Sequence, residues 1–299
     1  MTRELVGCDF SSSPSKKKPI VVAFGHLSNG CVRVSRLERI QSLDAFSQWL
    51  HEPACWVGAF DFPFGLPREL VETLQWPVQW EECIQYFASL SREEVRSTFV
   101  GFCNARPVGG KFAHRATDWP AGSSPSMKWV NPPVAFMLHA GVPRMLAAGV
   151  HMVGLQAIQS NDFEASKGLA LRIALEAYPG MLAREILAHR SYKSDAKAQQ
   201  TPERLIARKD LITALENGQS RLHLRLKLTH AQRDILVDDA SGDSLDAVLC
   251  LIQAAWAQGR HLDGDARYGL PAEMDPLEGW IVTTPLPKEL SRLPNNSIL

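Results

Sequence analysis

Apolar and polar positions along the chain switch between a strand period and a helix period, and the first sixty residues contain both. Leu5 to Phe10 is a short apolar run, broken by the polar loop Ser11-Ser12-Ser13-Pro14-Ser15-Lys16-Lys17-Lys18. A second run, Ile20 to Phe24, leads to Ser28-Asn29-Gly30, a hairpin-type turn signal. Cys31 to Leu37 then alternates apolar and polar as a half-buried strand does. Leu43, Phe46, Trp49 and Leu50 fall on one face of a helix that Ser42 is suited to cap. Cys55 to Phe60 is apolar throughout, the pattern of a strand covered on both faces. The order strand, strand, strand, helix, strand predicts an α/β or α+β domain, and the α/β class is the one adopted.

From Pro67, which suits a first helical position, the pattern turns helical, and Ser91-Arg92-Glu93-Glu94 is a capping box opening another helix. Residues 101–133 are rich in Gly, Pro and Ser and read as one long functional or mobile loop. Val134 to Ala148 returns to helix with a kink expected at Pro143. Strands are predicted at His151–Ile158 and Leu171–Tyr178, and helices at 180–189, 202–216 and 229–236. The last strong element, Asp243 to Gln258, carries an apolar stripe of Leu245, Val248, Leu249, Ile252 and Trp256, with Gly259 as its stop. With no internal repeat and no long linker, the reading is a single domain over 1–299 with a helical and loop insertion at 67–150.

Composition narrows this picture. Lys plus Arg equals Asp plus Glu, 32 each, so no global positive field marks a nucleic-acid binder and any such surface is a local patch. The six cysteines are scattered singly, several inside apolar runs, and read as reduced thiols. The chain starts without a signal-peptide layout, and no apolar stretch approaches the roughly 18 residues that span a bilayer, so the expected location is the cytoplasm with no membrane partner.

HExxH, GxSxG, GxxxxGK[ST] and GxGxxG are all missing, and the nine histidines are isolated, which disfavours a dedicated zinc site. The carboxylates stand out instead. Asp9 sits near the end of the first strand, inside Val6-Gly7-Cys8-Asp9-Phe10, where an isolated acid is costly unless paired, hydrogen-bonded or metal-bound. Asp61 repeats the arrangement at the end of the fourth strand, before Phe62-Pro63-Phe64-Gly65-Leu66-Pro67. Each could equally hold the turn that follows it. Asp238-Asp239-Ala240-Ser241-Gly242-Asp243-Ser244-Leu245-Asp246-Ala247 places Asp243 and Asp246 on one side of a helix start. Capping and the helix dipole explain most such pairs, but not so dense an acidic cluster opening an apolar helix. Like charges at that density repel unless a cation sits among them, and hard oxygens suit Mg²⁺ or Mn²⁺. Glu176 is a further candidate, in the strand-like Leu175-Glu176-Ala177-Tyr178-Pro179. Converging carboxylates of this kind serve two-metal phosphoester chemistry. Lys193 could neutralise a phosphate, and Arg115 and Asp118 could contact substrate, while Lys16-Lys17-Lys18 reads as a solvated turn.

These residues resemble the family known as domain of unknown function 429, described as predicted nucleases of RNase H-like fold. The matching pieces are Gly7-Cys8-Asp9, Asp61 to Pro67, Glu176-Ala177-Tyr178-Pro179, Tyr192-Lys193, Asp243-Ser244-Leu245-Asp246-Ala247 and Glu278-Gly279-Trp280-Ile281, in order along most of the chain. The D-x-x-D-A start of the last helix is also similar to that of Holliday-junction resolvases. The resemblance implies an RNase H-like mixed five-stranded sheet flanked by helices. It implies Asp9, Asp61, Asp243 and Asp246 as metal ligands, with Glu176 as a further candidate, and it favours Lys193 facing substrate beside the loop candidate Arg115. The expected activity is a metal-dependent phosphodiester hydrolase, a nuclease or small-phosphoester enzyme. Two rivals share the fold: a phosphotransferase related to actin-like and sugar-kinase ATPases, imitated by Asp9-Phe10-Ser11-Ser12-Ser13, and a non-catalytic binding protein. The binding protein predicts carboxylates that fail to converge, or a lysine or arginine in the metal position.

Overall fold

In the computed structural model, which describes residues 3–156 and 171–285, one mixed sheet runs through the centre of the chain. Strands β1 (Glu4–Asp9), β2 (Ile20–Ser28) and β3 (Cys31–Ile40) form an antiparallel meander. Asn29 and Gly30, both at positive φ, make the turn between β2 and β3, as a two-residue hairpin matched to sheet twist requires. On the other side of β1 lies β4 (Trp56–Asp61), parallel to it, and then β6 (Arg172–Glu176), parallel to β4. Short strands β5 (His151–Met152) and β7 (Arg225–Lys227) extend the two edges. The order is therefore β5-β6-β4-β1-β2-β3-β7, seven strands where the resemblance implies five. β7, three residues long, is too short for alternation to register. The strand predicted at 151–158 is confined to β5 among the described residues, with 157–158 lying outside them.

The helices are α1 (Leu43–His51), α2 (Arg68–Thr73), α3 (Trp80–Ser89), α4 (Arg92–Asn104), α5 (Asp118–Ala121) and α6 (Val134–Ala147). They continue as α7 (Pro179–Leu187), α8 (Pro202–Glu216), α9 (His230–Asp238) and α10 (Asp243–Leu262). Ser42 caps α1 through Ala45 N, and Ser91 with Glu94 forms the capping box of α4. Segment 101–133 is not one long loop. Its start belongs to α4, it contains α5, and Arg115, Thr117, Asp118, Ser126 and Met127 within it are buried. The insertion helices share the sheet's hydrophobic core, with Trp80, Phe87 and Phe99 joined to it.

The two faces of the sheet are built from different residues. On one, Phe10, Phe24 and Trp56 meet the α1 rings, with Phe10–Phe46 centroids 5.2 Å apart and Trp49 stacked on Trp56 at 5.8 Å. On the other, Gly7 is flanked in register by Ala23 and Ala59, and α10 lies across this shallow strip. A Cβ on Gly7 would stand 2.1 Å from the Ala247 carbonyl oxygen and 2.2 Å from the Leu251 nitrogen. Only glycine lets the helix backbone touch the strand there. α10 is buried along most of its length, which is why its residues are apolar on nearly every side. It runs through Gly259, the predicted stop, to Leu262, because packing outweighs a glycine penalty of about 1 kcal/mol.

Candidate metal centre

The parallel pairing of β1 and β4 makes Asp9 and Asp61 direct partners at the carboxyl ends of adjacent strands. Residues i and i+2 of a strand share a face, so Asp9 follows Gly7 and Asp61 follows Ala59 onto the side covered by α10. The close approach at Gly7 brings the first turn of α10 over these strand ends, and with it Asp246, which is fully buried. Carboxylate oxygens of Asp9, Asp61 and Asp246 lie within 4.8 Å of one another. Three of the four predicted ligands thus converge.

Asp243, the fourth, stands outside this group and lines the mouth of a neighbouring cavity. Neither Asp243 nor Asp246 caps the helix. Gly242 occupies the cap position at φ 81°, and Asp239 supplies the oxygen, accepting from Ser244 N at 2.9 Å and from the Ser241 hydroxyl at 2.6 Å. Asp239 was not singled out in the sequence because its neighbours in the acidic run look alike.

Burial and crowding govern the charges. Burial, then Asp246, pushes the Asp61 carboxyl up to about 7, against the pull of Lys193. Burial raises Asp9 well above the carboxylate range, reinforced by Asp246, Asp243 and Asp61. Both oxygens of Asp246 are taken: the Tyr192 hydroxyl donates to Oδ1 and the Lys193 ammonium to Oδ2. Burial opposes the charge on Lys193, yet Asp246, Tyr192, Asp9 and Asp61 together hold it well above the usual lysine range. Lys193, expected to face substrate, is thus paired inside the acidic group. Tyr192 is set by the buried Arg208, whose Nη1 donates to the Tyr192 carbonyl at 2.8 Å.

Glu176 and Arg115 are corrected in the same way. Glu176 ends β6 and accepts from Phe64 N at 2.9 Å and from both terminal nitrogens of Arg115, at 2.8 and 2.6 Å. Arg115 is only 2 % exposed; it also donates to Asp118 Oδ1 from Nε and Nη2 and to the Glu278 carbonyl. All its guanidinium protons are used, so it has none to offer a substrate. Glu176 thus holds the turn that follows Asp61.

Beside Asp9 opens a cavity of about 500 Å³. Ser11, Ser12, Lys18 and Lys193 bring hydrogen-bond donors to it, Asp195 and Asp243 bring acids, and Pro132, Pro133 and Met137 from the insertion form an apolar wall. Lys18, read in the sequence as part of a solvated turn, lines this cavity and pairs with Asp195 at 2.7 Å on its rim.

The donor set suits a hard divalent cation. Octahedral oxygens at about 2.1 Å from an ion lie roughly 3 to 4.2 Å from one another, inside the observed spacing. The Lys193 ammonium on Asp246 counts the other way, as the lysine in the metal position that a non-catalytic binding protein predicts.

No family model matches the chain, and no curated protein or solved structure matches it. Fold and site define an α/β protein with a seven-stranded mixed sheet and an acidic cluster under the start of its longest described helix. No helix among the described residues is long and apolar enough to cross a membrane.

Proposed function

We propose that this chain is a metal-dependent phosphodiester hydrolase of nuclease type, using Mg²⁺ or Mn²⁺ on an RNase H-like frame. The observation that carries the reading is the meeting of Asp9, Asp61 and Asp246 from two parallel strand ends and one helix start. The antiparallel meander with parallel β4 and β6 beside it supports the frame, as does the D-x-x-D-A opening of α10.

Asp9, Asp61 and Asp246 would hold the ion. Once bound, such an ion lowers the pKa of a coordinated water and polarises a phosphoryl oxygen. The chain's own residues do the rest. Tyr192 orients Asp246 through its hydroxyl, and Glu176 holds the backbone after Asp61. Ser11, Ser12 and Lys18 present donors to phosphate oxygens in the cavity, while Asp243 offers an acceptor at its mouth. A cavity of about 500 Å³ is small-molecule sized, and a chain of zero formal net charge lacks the excess of Lys and Arg that duplex binding draws on. A small phosphoester or a single-stranded end is therefore the favoured substrate.

A second reading, a non-catalytic binding protein, is favoured by one observation: an ammonium pairs with Asp246 inside the acidic group. Titration of Mn²⁺ into wild type and Asp9→Asn, beside fluorescent DNA and RNA substrates, separates the two. Hydrolysis predicts metal binding and metal-dependent cleavage by wild type, both lost in the variant. Metal binding by neither protein overturns hydrolysis in favour of the binding module. Metal binding without cleavage, together with an ATP-induced rise in Tm, moves the reading to a phosphotransferase.

A further inference from the structure

We propose that Lys193 is the resident cation of the acidic centre and that a divalent ion binds by displacing it, an inference that rests on the metal reading above. The ammonium and an ion need the same oxygens. Lys193 Nζ donates to Asp246 Oδ2, on a carboxylate that also belongs to the converging group with Asp9 and Asp61. Two cations sharing one carboxylate at such range repel strongly where water is scarce. Occupancy by one lowers occupancy by the other.

The path of the lysine is built into the fold. Its stem crosses the start of α10 at Gly242, where an added Cβ would stand 2.7 Å from Lys193 Cβ and 2.9 Å from its Cδ. Gly242 therefore serves twice, supplying the left-handed turn before the helix and clearing the stem. The backbone on either side is tied down, Tyr192 O by Arg208 and Ser194 N by the Ala240 carbonyl at 3.1 Å. The side chain is the part left to move, and 42 % of its surface is exposed. Its open direction is the cavity beside Asp9, which Lys193 already lines with Lys18, Ser11 and Ser12. Displacement thus moves a positive charge from the carboxylates to the place where a phosphate would lie. Metal entry and anion binding are coupled through one residue, and without metal the clustered acids keep a counter-charge.

Mn²⁺ titration of the full chain as wild type, Lys193→Met and Lys193→Arg tests this. A competitor that occupies the site nine-tenths of the time weakens the apparent affinity about tenfold. Lys193→Met is therefore expected to bind Mn²⁺ about tenfold tighter than wild type, and Lys193→Arg no tighter. Equal or weaker binding by Lys193→Met overturns the inference. Should that variant fail to fold, acylation footprinting of wild type gives the same answer: Lys193 reacts several-fold faster with Mn²⁺ present, and an unchanged rate overturns the inference. Mn²⁺ bound equally by wild type and Lys193→Met removes only the role of Lys193. No Mn²⁺ binding by any of the three proteins removes the metal reading beneath it.

Discussion

Two acidic groups, one buried and one half-buried, lie at the carboxyl edge of the same sheet, and they are closed in different ways. Glu176 and Asp118 share the guanidinium of Arg115, with Phe64 N, Arg115 N and the Ser123 hydroxyl filling further lone pairs. Asp9, Asp61 and Asp246 bring three carboxylates to one ammonium and one phenol. Both groups are acidic, and both join strand-end acids to one from a helix start. The difference is hydrogen-bond closure: the first network is complete within the protein, while the second gathers charge faster than its partners neutralise it. Closure marks a structural brace; incomplete closure is what the proposed metal reading draws on.

The largest effect is expected in the closed network. Arg115→Met strands two buried carboxylates and should cost roughly 3–5 kcal/mol, the usual price of removing one partner of a buried pair. Urea unfolding at neutral pH measures it, and Mn²⁺ should restore none of the loss. A loss near zero, or rescue by Mn²⁺, would break the contrast between the two groups.

The open group should respond to pH through Asp61. Asp61 is held at about 7 in the folded chain, above its ordinary value of 3.8. The native state therefore keeps a proton that the unfolded chain has released. The stability this confers is complete below about 4 and is lost as pH rises through 7. Asp239 and Asp275, both lowered by their hydrogen bonds, contribute fully above the ordinary carboxylate range and add no slope at neutral pH. Metal-free wild type should then lose a few degrees of Tm between pH 5 and 8, and Asp61→Asn should lose less. Added Mn²⁺ should stabilise wild type more at pH 8 than at pH 5, because protons compete for the ligands. Identical pH slopes in wild type and variant would show that Asp61 carries no strain of this kind.

Which parts of this were legible beforehand follows from range. Strand-length apolar runs, the Ser42 cap and the Ser91–Glu94 box are local signals, and they located β1 to β4, α1 and the start of α4. Asp9 and Asp61 stood out because an acid at the end of an apolar strand is locally expensive. Asp246 and Asp243 could not be separated, since that depends on Gly7 letting α10 descend to one depth and on Asp239 taking the capping role. Arg115 and Glu176 are 61 residues apart, and nothing local says that they consume each other. Lys193 was visible as a charge near a candidate strand, but its pairing with Asp246 depends on the shape of the loop around Ala240. The edge strand β7 carries too few residues to signal itself, whereas β5 is the start of the strand predicted at 151–158.

The smallest effect gives the finest test of closure. Tyr192→Phe removes the hydroxyl on Asp246 Oδ1 and leaves that buried oxygen without a donor. Without metal the loss should be about 1–2 kcal/mol, the cost of one unsatisfied buried acceptor. A divalent ion among Asp9, Asp61 and Asp246 draws on the same carboxylate, so saturating Mn²⁺ should recover most of this loss, as it does not for Arg115→Met. Urea unfolding of Tyr192→Phe with and without Mn²⁺ makes the comparison. Recovery assigns the phenol to the open group as a substitute for coordination. A loss that persists in Mn²⁺ assigns Tyr192 to the brace, and the line between the two groups would then run between Asp246 and the two strand-end acids.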